Sequence, residues 1–307
     1  MKIATTTEDF SFYCDTYEKQ ISELHKAGFR YIDLSMYSFA PDCEFMQDNW
    51  KAAAIRIKNF ASDLSMQFVQ AHSQGGNPLS DDASHAAFLL NATIRSIEIC
   101  GLLGIKNTVV HNGFEKGLSK EEWFIKNKAF YEKLFPYTEK YDVNVLCENS
   151  TKSNMGDHYF INSGKDMREF IDFVNHPKIH GCWDTGHANC EGNQYDDIMA
   201  VGKELYAIHY NDNHAYKDNH IAPFLGCLNH DEVLTALTDV GFKGYFTLEC
   251  SSSLNRYDQW TENRRRFRDE YGSLKLREPQ LFMQRHIEAM MYETAEWMLK
   301  EYGVFEE

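Results

Sequence analysis

Hydrophobic and polar positions follow two patterns that alternate along the chain. Short runs rich in β-branched and aromatic residues precede longer segments in which apolar residues recur every three or four positions. The short runs are typical of buried strands and the longer segments of amphipathic helices, and the two repeat about eight times. The expected strands cover residues 2–7, 31–36, 67–73, 107–113, 143–150, 179–187, 206–212 and 244–250.

Strands that alternate with helices predict parallel βα units, and eight such units predict an α/β fold of the (β/α)8 TIM barrel type. A chain of 307 residues suits one barrel, so we expect a single domain over residues 1–307. The period breaks after the eighth strand, where a charge-rich segment predicts a long loop over about residues 251–279. A last amphipathic run predicts a C-terminal helix over about residues 280–302.

Side chains able to bind metal ions stand at the carboxyl ends of six predicted strands. They are His72, His111, Glu148, Asp184 with His187, His209 and Glu249. In a parallel barrel these strand ends face the same mouth, so residues far apart in the sequence are expected to converge on one site.

Four of these residues come from the consecutive strands five to eight: Glu148, Asp184, His209 and Glu249. Three carboxylates and one imidazole suit Mn²⁺, Mg²⁺ or Co²⁺ at least as well as Zn²⁺. Structural zinc sites favour Cys and His, so the set predicts a catalytic ion. For any one residue alone, a hydrogen-bonded polar side chain at a strand end is the simpler interpretation; four together favour a metal.

The segments LCENS, CWDTGHAN, IHYNDN and FTLEC resemble, in order and spacing, the xylose isomerase-like barrel superfamily of sugar isomerases, epimerases and endonuclease IV. The resemblance covers about residues 1–250, and DTGH is its most specific part. Tagatose and psicose 3-epimerases of this superfamily hold one divalent metal with a Glu, Asp, His, Glu set, which matches Glu148, Asp184, His209 and Glu249. The resemblance also implies that Glu148 and Glu249 form the catalytic acid/base pair.

A second resemblance, to endonuclease IV, implies up to three zinc ions. That enzyme uses nine ligands, and this chain has a candidate for each: the four residues above with His72, His111, His187, Asp218 and His220. These five residues are therefore either further metal ligands or substrate contacts. The epimerases carry an arginine in the loop after strand seven, where this chain offers only Lys217.

The expected function is that of a divalent-metal-dependent isomerase or epimerase. It would act on a sugar or sugar phosphate by removing a proton next to a carbonyl, through an enediolate. One alternative is an endonuclease IV-like multi-zinc phosphodiesterase. Another is a metal-dependent lyase or C-glycoside-cleaving enzyme that acts on a sugar conjugate.

Net charge bears on the partner. Asp and Glu total 46 against 31 Lys and Arg, a formal charge of −15 that disfavours nucleic acid. The loops EDFSFYCD and SFAPDCEF are acidic where a basic groove for DNA is expected. A small carbohydrate is therefore the predicted partner. The cluster Arg264 to Arg266 is either a phosphate contact or a solvated face.

Targeting signals are not evident in the sequence. The N-terminus lacks a basic region followed by an apolar run, and no apolar stretch is expected to approach the roughly 20 residues that span a bilayer. Eight cysteines stand singly without a CxxC pair, which is typical of free thiols. We expect a cytoplasmic protein without a membrane partner.

Apolar residues of the last helix pack on the barrel or form a homo-oligomer; they are Phe282, Met283, Met290, Met291 and Trp297.

Overall fold

The computed structural model describes residues 1–255 and 259–307 and contains one sheet of eight parallel strands, in the order β7-β6-β5-β4-β3-β2-β1-β8. The strands are β1 Ile3–Thr6, β2 Tyr31–Ser35, β3 Gln67–His72, β4 Asn107–Val109, β5 Asn144–Glu148, β6 Ile179–Asp184, β7 Leu205–His209 and β8 Phe246–Leu248. The ring closes where Tyr210 bridges Leu248 and its N–H donates to the Thr247 carbonyl at 2.7 Å. The predicted TIM barrel is confirmed.

Helices follow the strands; most of the longer ones cover the outside of the barrel, whereas the short α6 and α8 contribute to the cavity at its mouth. They are α1 Tyr17–Ala27, α2 Trp50–Asp63, α3 Ala83–Leu103, α4 Lys120–Glu132, α5 Phe135–Tyr141, α6 Lys152–Met155, α7 Gly164–Val174, α8 Thr185–Glu191, α9 Tyr195–Val201, α10 His230–Asp239, α11 Glu262–Tyr271 and α12 Leu281–Glu301. Short 3-10 helices span Thr7–Phe10, Glu44–Met46, Gly156–His158 and Gly202–Glu204.

Each predicted strand exists, but all eight end earlier than the sequence pattern suggests. The fourth stops at Val109 rather than at residue 113, and the sixth stops at Asp184 rather than at residue 187. The reason at β6 is a helix cap: the Asp184 carboxylate accepts from the His187 N–H at 2.7 Å and starts α8. His111, His187 and Glu249 consequently lie just beyond their strands, on the connections at the barrel mouth.

The segment after β8 is more ordered than a loop. Helix α11 occupies Glu262–Tyr271, begun by the Thr261 side chain, which accepts from the Arg264 N–H. The expected loop over 251–279 also includes residues 256–258, which lie outside the described residues. Helix α12 then packs against α1, and Met291, Ala295 and Leu299 are fully buried.

The barrel interior has an apolar layer with a polar layer above it. Val109, Leu146, Cys182 and Ala207 form the apolar cluster, which is separate from the main core between strands and helices. Small and medium side chains suit this position because four neighbouring strands point into the same narrow space. This packed layer forms a floor beneath the polar residues at the mouth.

Helix α3 corrects one sequence expectation. By length and composition its 21 residues could cross a membrane, contrary to the interpretation that no stretch approaches that length. Its face containing Leu89, Ile97 and Cys100 is buried, and the helix packs between α2 and α5. In the fold, its apolar character serves packing in the outer layer of the barrel.

Candidate metal centre and active site

Four consecutive strands bring Glu148, Asp184, His209 and Glu249 together. The first three are the last residues of β5, β6 and β7, and Glu249 directly follows β8. One ligand atom from each of the four lies within 4.8 Å of all the others. Glu148, Asp184 and His209 are buried, whereas the Glu249 side chain is 20% exposed. A cavity of about 590 Å³ opens above them, and both glutamates line it.

Both glutamates are ionised at neutral pH. Burial alone would raise the pKa of Glu148, but the attraction of His209 and His111 outweighs burial and holds this pKa well below its usual range. The ring nitrogens of His209 and His111 lie 2.5 and 2.8 Å from the carboxylate oxygens. Burial opposes ionisation of Glu249 too, but His209 and His220, each at 3.4 Å, lower its pKa to about 2. Each carboxylate is therefore available as a base or as a metal ligand.

Asp184 is fixed in orientation by hydrogen bonds to both carboxylate oxygens. The His187 N–H donates to Oδ1 at 2.7 Å, and Asn211 Nδ2 donates to Oδ2 at 2.9 Å. Burial raises the pKa of Asp184 to about 6, against the opposing attraction of His187 and His220. A carboxylate held in this way is prepared for a bound cation, because supporting hydrogen bonds orient metal ligands.

A second group of side chains lies beside Asp184. The Asp218 Oδ2 oxygen is 3.1 Å from His187 Nε2 and 3.0 Å from His220 Nε2. Ligand atoms of Asp184, His187 and His220 also lie within 4.8 Å of one another. His220 has a φ of 47°, in the left-handed region, and its carbonyl accepts from the Ser252 N–H at 3.0 Å.

A third group combines His72, His111 and Glu148. The two Nε2 atoms are 3.1 Å apart, and His111 Nε2 is 2.8 Å from Glu148 Oε2. His72 Nδ1 faces the Ser73 carbonyl at 2.8 Å, which leaves Nε2 directed at the site. Burial and the neighbouring His111 lower the pKa of His72, so the ring is neutral, the form that binds metals. The structure thus brings together all nine residues that the sequence singled out.

The donor set fits a divalent cation. Three carboxylates converge on His209 at the base of the cavity, and oxygen-rich sets of this kind suit Mn²⁺, Mg²⁺, Co²⁺ or Zn²⁺. Several carboxylates in one buried cluster repel one another unless positive charge compensates them. A bound ion at Glu148, Asp184, His209 and Glu249 would supply that charge.

Sequence reasoning missed residues that complete the site. Asp33 Oδ2 lies 3.5 Å from His209 Nε2 and accepts from Gln70 at 2.7 Å. Tyr37 lines the cavity, with its ring centroid 5.2 Å from that of His72 and 5.8 Å from that of His111. A charged residue inside the apolar run YIDLSM could have marked Asp33, whereas no signal marks Tyr37.

Aromatic side chains form part of the cavity wall. Phe114 lines the cavity, as does Tyr159, which the sequence pattern does not distinguish from core. Trp183 instead is fully buried and donates to Gln194 at 3.1 Å, so it belongs to the core. Phe12 is 48% exposed and lies outside the described cavity linings.

The arginine cluster lies on α11 and lines none of the described cavities. Arg264 lies over the Trp260 ring and donates to the Leu276 and Arg277 carbonyls, each at 2.9 Å. Arg266 pairs with Glu262 at 2.7 Å. Arg265 and Arg266 are exposed, so of the two interpretations of this cluster the geometry favours a solvated face over a phosphate contact.

Comparison with known proteins agrees with the barrel fold. The family model described as "Xylose isomerase-like TIM barrel" matches residues 21–270. The chain belongs to this family. An L-ribulose 3-epimerase of Methylomonas sp. (strain DH-1) is 24% identical over 246 residues, which cover 76% of this chain and 78% of that protein.

Other similarities are more limited in length or identity. An uncharacterised protein of Methanocaldococcus jannaschii is 27% identical over 88 residues, and the match spans only 30% of its length. One similar solved structure is that of D-psicose 3-epimerase from Clostridium cellulolyticum H10 with D-tagatose. The TM-score is 0.70 and the sequence identity is 16%, and the match covers 97% of this chain and 99% of that one. At that identity the structural likeness shows the fold alone.

Proposed function

We propose that the protein is a divalent-metal-dependent sugar isomerase or epimerase that moves a proton on a carbon next to a carbonyl. The observation that carries the proposal is the convergence of Glu148, Asp184, His209 and Glu249 within 4.8 Å at the base of a sugar-sized cavity. The similarity to an L-ribulose 3-epimerase supports the same reaction class. When bound, the ion would polarise a carbonyl oxygen and make the neighbouring C–H more acidic.

The two glutamates are proposed as the acid/base pair. Glu249 is ionised and borders the cavity, so it can accept a proton from a bound substrate carbon. Glu148 is also ionised and reaches the same cavity from β5. In epimerisation one carboxylate removes the proton and the other returns it to the opposite face; in isomerisation the proton goes to the neighbouring carbon. Without an ion, protonated His209 stabilises both ionised forms; a bound ion, which requires neutral His209 as a ligand, would take over that role.

An uncharged sugar fits the cavity better than a sugar phosphate. Among the described residues that line it, Glu8, Glu148, Asp218 and Glu249 are acidic, and neither lysine nor arginine occurs. Phosphate recognition ordinarily uses such cations or a helix N-terminus directed at the anion. We therefore expect the enzyme to prefer an unphosphorylated ketose.

The multi-zinc phosphodiesterase is a second candidate because two further groups, His72 with His111 and His187 with His220, each lie within reach of a ligand carboxylate. The same geometry would allow up to three ions. The acidic lining and the net charge of −15 disfavour a polyanionic substrate. If the protein is a sugar isomerase or epimerase, these histidines contact substrate hydroxyls instead of further ions. A lyase would use the same two glutamates and is distinguished by its products.

Solvent deuterium exchange tests the proposal. The metal-loaded protein is incubated in D₂O with D-fructose, D-tagatose, D-psicose and L-ribulose, and NMR follows the protons on the carbons next to the carbonyl. Loss of signal at carbon 3 indicates epimerisation, and loss at carbon 1 indicates isomerisation. Absence of exchange with all four ketoses, together with cleavage of abasic DNA, would overturn the proposal in favour of the phosphodiesterase.

A further inference from the structure

A second cavity, of about 390 Å³, lies beside the active-site cavity. It is formed by the connections after β1 and β2 and by the start of α1, and we name it the outer cavity. Tyr17, Ser38, Phe39 and Phe45 are among its lining residues. The proposed reaction uses none of these side chains. The outer cavity therefore has no part in the proposed proton transfer at Glu148 and Glu249.

The two cavities are neighbours that share a wall. Glu8 and Ser35 line both of them. Ser35 Oγ donates to Glu8 Oε2 at 2.7 Å, and the Ser35 N–H donates to Thr7 Oγ1 at 2.9 Å. Both residues border the space above the glutamates as well as the outer cavity, so a ligand that extends past them would have a group in each cavity.

Aromatic rings give the outer cavity an apolar surface. Phe39 and Phe45 are stacked with centroids 5.6 Å apart and planes at 6°, and Tyr17 meets Phe45 edge-on at 5.3 Å. Phe39 and Phe45 are buried in the fold, which holds their ring planes in place. Rigid aromatic faces offer the apolar surface on which the C–H side of a sugar ring packs.

Hydroxyl and carboxylate groups complete the lining. Ser11, Thr16 and Ser38 bring hydroxyls to it, and Asp15 and Glu44 bring carboxylates. The described lining includes no lysine or arginine. Cations outside the lining pair with these two carboxylates: Lys19 Nζ lies 2.6 Å from Asp15, and Arg56 lies 2.5 Å from Glu44. A chamber with aromatic faces, hydroxyls and acceptor oxygens suits a neutral polyhydroxylated ligand and disfavours an anion.

We propose that the outer cavity binds the second, uncharged sugar unit of a conjugate whose keto-sugar unit occupies the cavity above Glu148 and Glu249. This inference rests on the proposed function and extends it by naming the substrate class: a glycoside or disaccharide that ends in a ketose. The linkage between the two units passes beside Glu8 and Ser35. Binding energy from the remote unit then orients the reacting carbon at the glutamates.

The experiment compares a free ketose with disaccharides that contain it. D-fructose, isomaltulose and lactulose are assayed for deuterium exchange next to the carbonyl, in the wild-type protein and in the Ser38→Phe variant. Ser38 is exposed, lines only the outer cavity among those described, and has no role at the metal site, so phenylalanine should fill the chamber without disturbing the reacting groups. Ser273→Phe, an exposed serine between α11 and α12, is the matched control.

We expect kcat/KM for at least one disaccharide to exceed that for D-fructose by about tenfold or more, a difference of about 1.4 kcal/mol. Ser38→Phe should remove that preference and weaken disaccharide binding, measured calorimetrically, by a similar factor. It should leave D-fructose exchange unchanged, and Ser273→Phe should leave all three substrates unchanged.

Three results would overturn the inference. If D-fructose exchanges as fast as both disaccharides, or if Ser38→Phe slows all three substrates equally, the outer cavity binds no second unit, while the proposed reaction stands. If none of the three exchanges and none of the four free ketoses does either, the reaction itself is wrong and this inference falls with it.

Discussion

Replacing Glu249 with glutamine should nearly abolish proton exchange while leaving the barrel folded. The carboxylate borders the cavity, 3.4 Å from both His209 Nδ1 and His220 Nδ1, and these histidines hold its pKa at about 2 despite burial. Glutamine has nearly the same shape and keeps an oxygen for the ion, but its amide does not accept a proton at neutral pH. Loss of a positioned acid or base typically costs about 10²- to 10⁴-fold in rate, or roughly 3–5 kcal/mol.

The assay is deuterium exchange at saturating substrate and metal, with the metal content of each preparation measured in parallel. Glu115→Gln is the matched control, because Glu115 lies in the connection after β4 and pairs with Lys126 without lining the described active-site cavity. The control should retain wild-type exchange. If Glu249→Gln holds its metal and exchanges within about threefold of wild type, the acid/base assignment is wrong.

Three further predictions follow from the structure. Gly186→Ala should weaken metal binding by about 10- to 100-fold, because its Cβ would collide with the Asn211 side chain that orients Asp184; an unchanged affinity in a metal titration would contradict this. Asp9 is buried beside Glu288, and burial raises the pKa of Asp9 to about 8 in the folded protein. Because the unfolded chain releases this proton at a lower pH, the free energy of unfolding should fall as pH rises from about 4 to 8. The Asp9→Asn melting temperature should fall less over this range than that of wild type, and parallel curves would refute the assignment. Fructose 6-phosphate should exchange at least about tenfold more slowly than D-fructose, because the described cavity lining contains four acidic residues and neither lysine nor arginine; a faster rate would show that a cation reaches the phosphate.

The sequence predicted the strands well because their signal is local. Runs such as NVLCE and YAIH are rich in β-branched or apolar residues, and a candidate metal ligand stands at the end of each, at Glu148 and His209. In a parallel barrel those ends meet, so the convergence of the candidate ligands followed from topology. Strand ends were less accurate, because Asp184 caps a helix and stops β6 early.

The positions that could not be predicted from the sequence depend on contacts between residues far apart in the chain. Asp9 belongs to an acidic segment expected at the surface, yet it is buried because α12, which carries Glu288, covers it from almost the other end of the chain. Tyr37 gains its place only because the Gly75 backbone packs against its ring. The shared wall at Glu8 and Ser35 likewise joins two separate connections, and no single stretch of sequence shows that they meet.

The most direct test of a single catalytic ion at Glu148, Asp184, His209 and Glu249 is the metal content of the purified protein, measured by elemental mass spectrometry without added metal. We predict about one divalent ion per chain, lost in Asp184→Asn, which removes a ligand charge but keeps the side-chain shape. Two or three zinc ions per chain would contradict this account, because the further histidine groups would then be metal sites and phosphoester hydrolysis the better explanation.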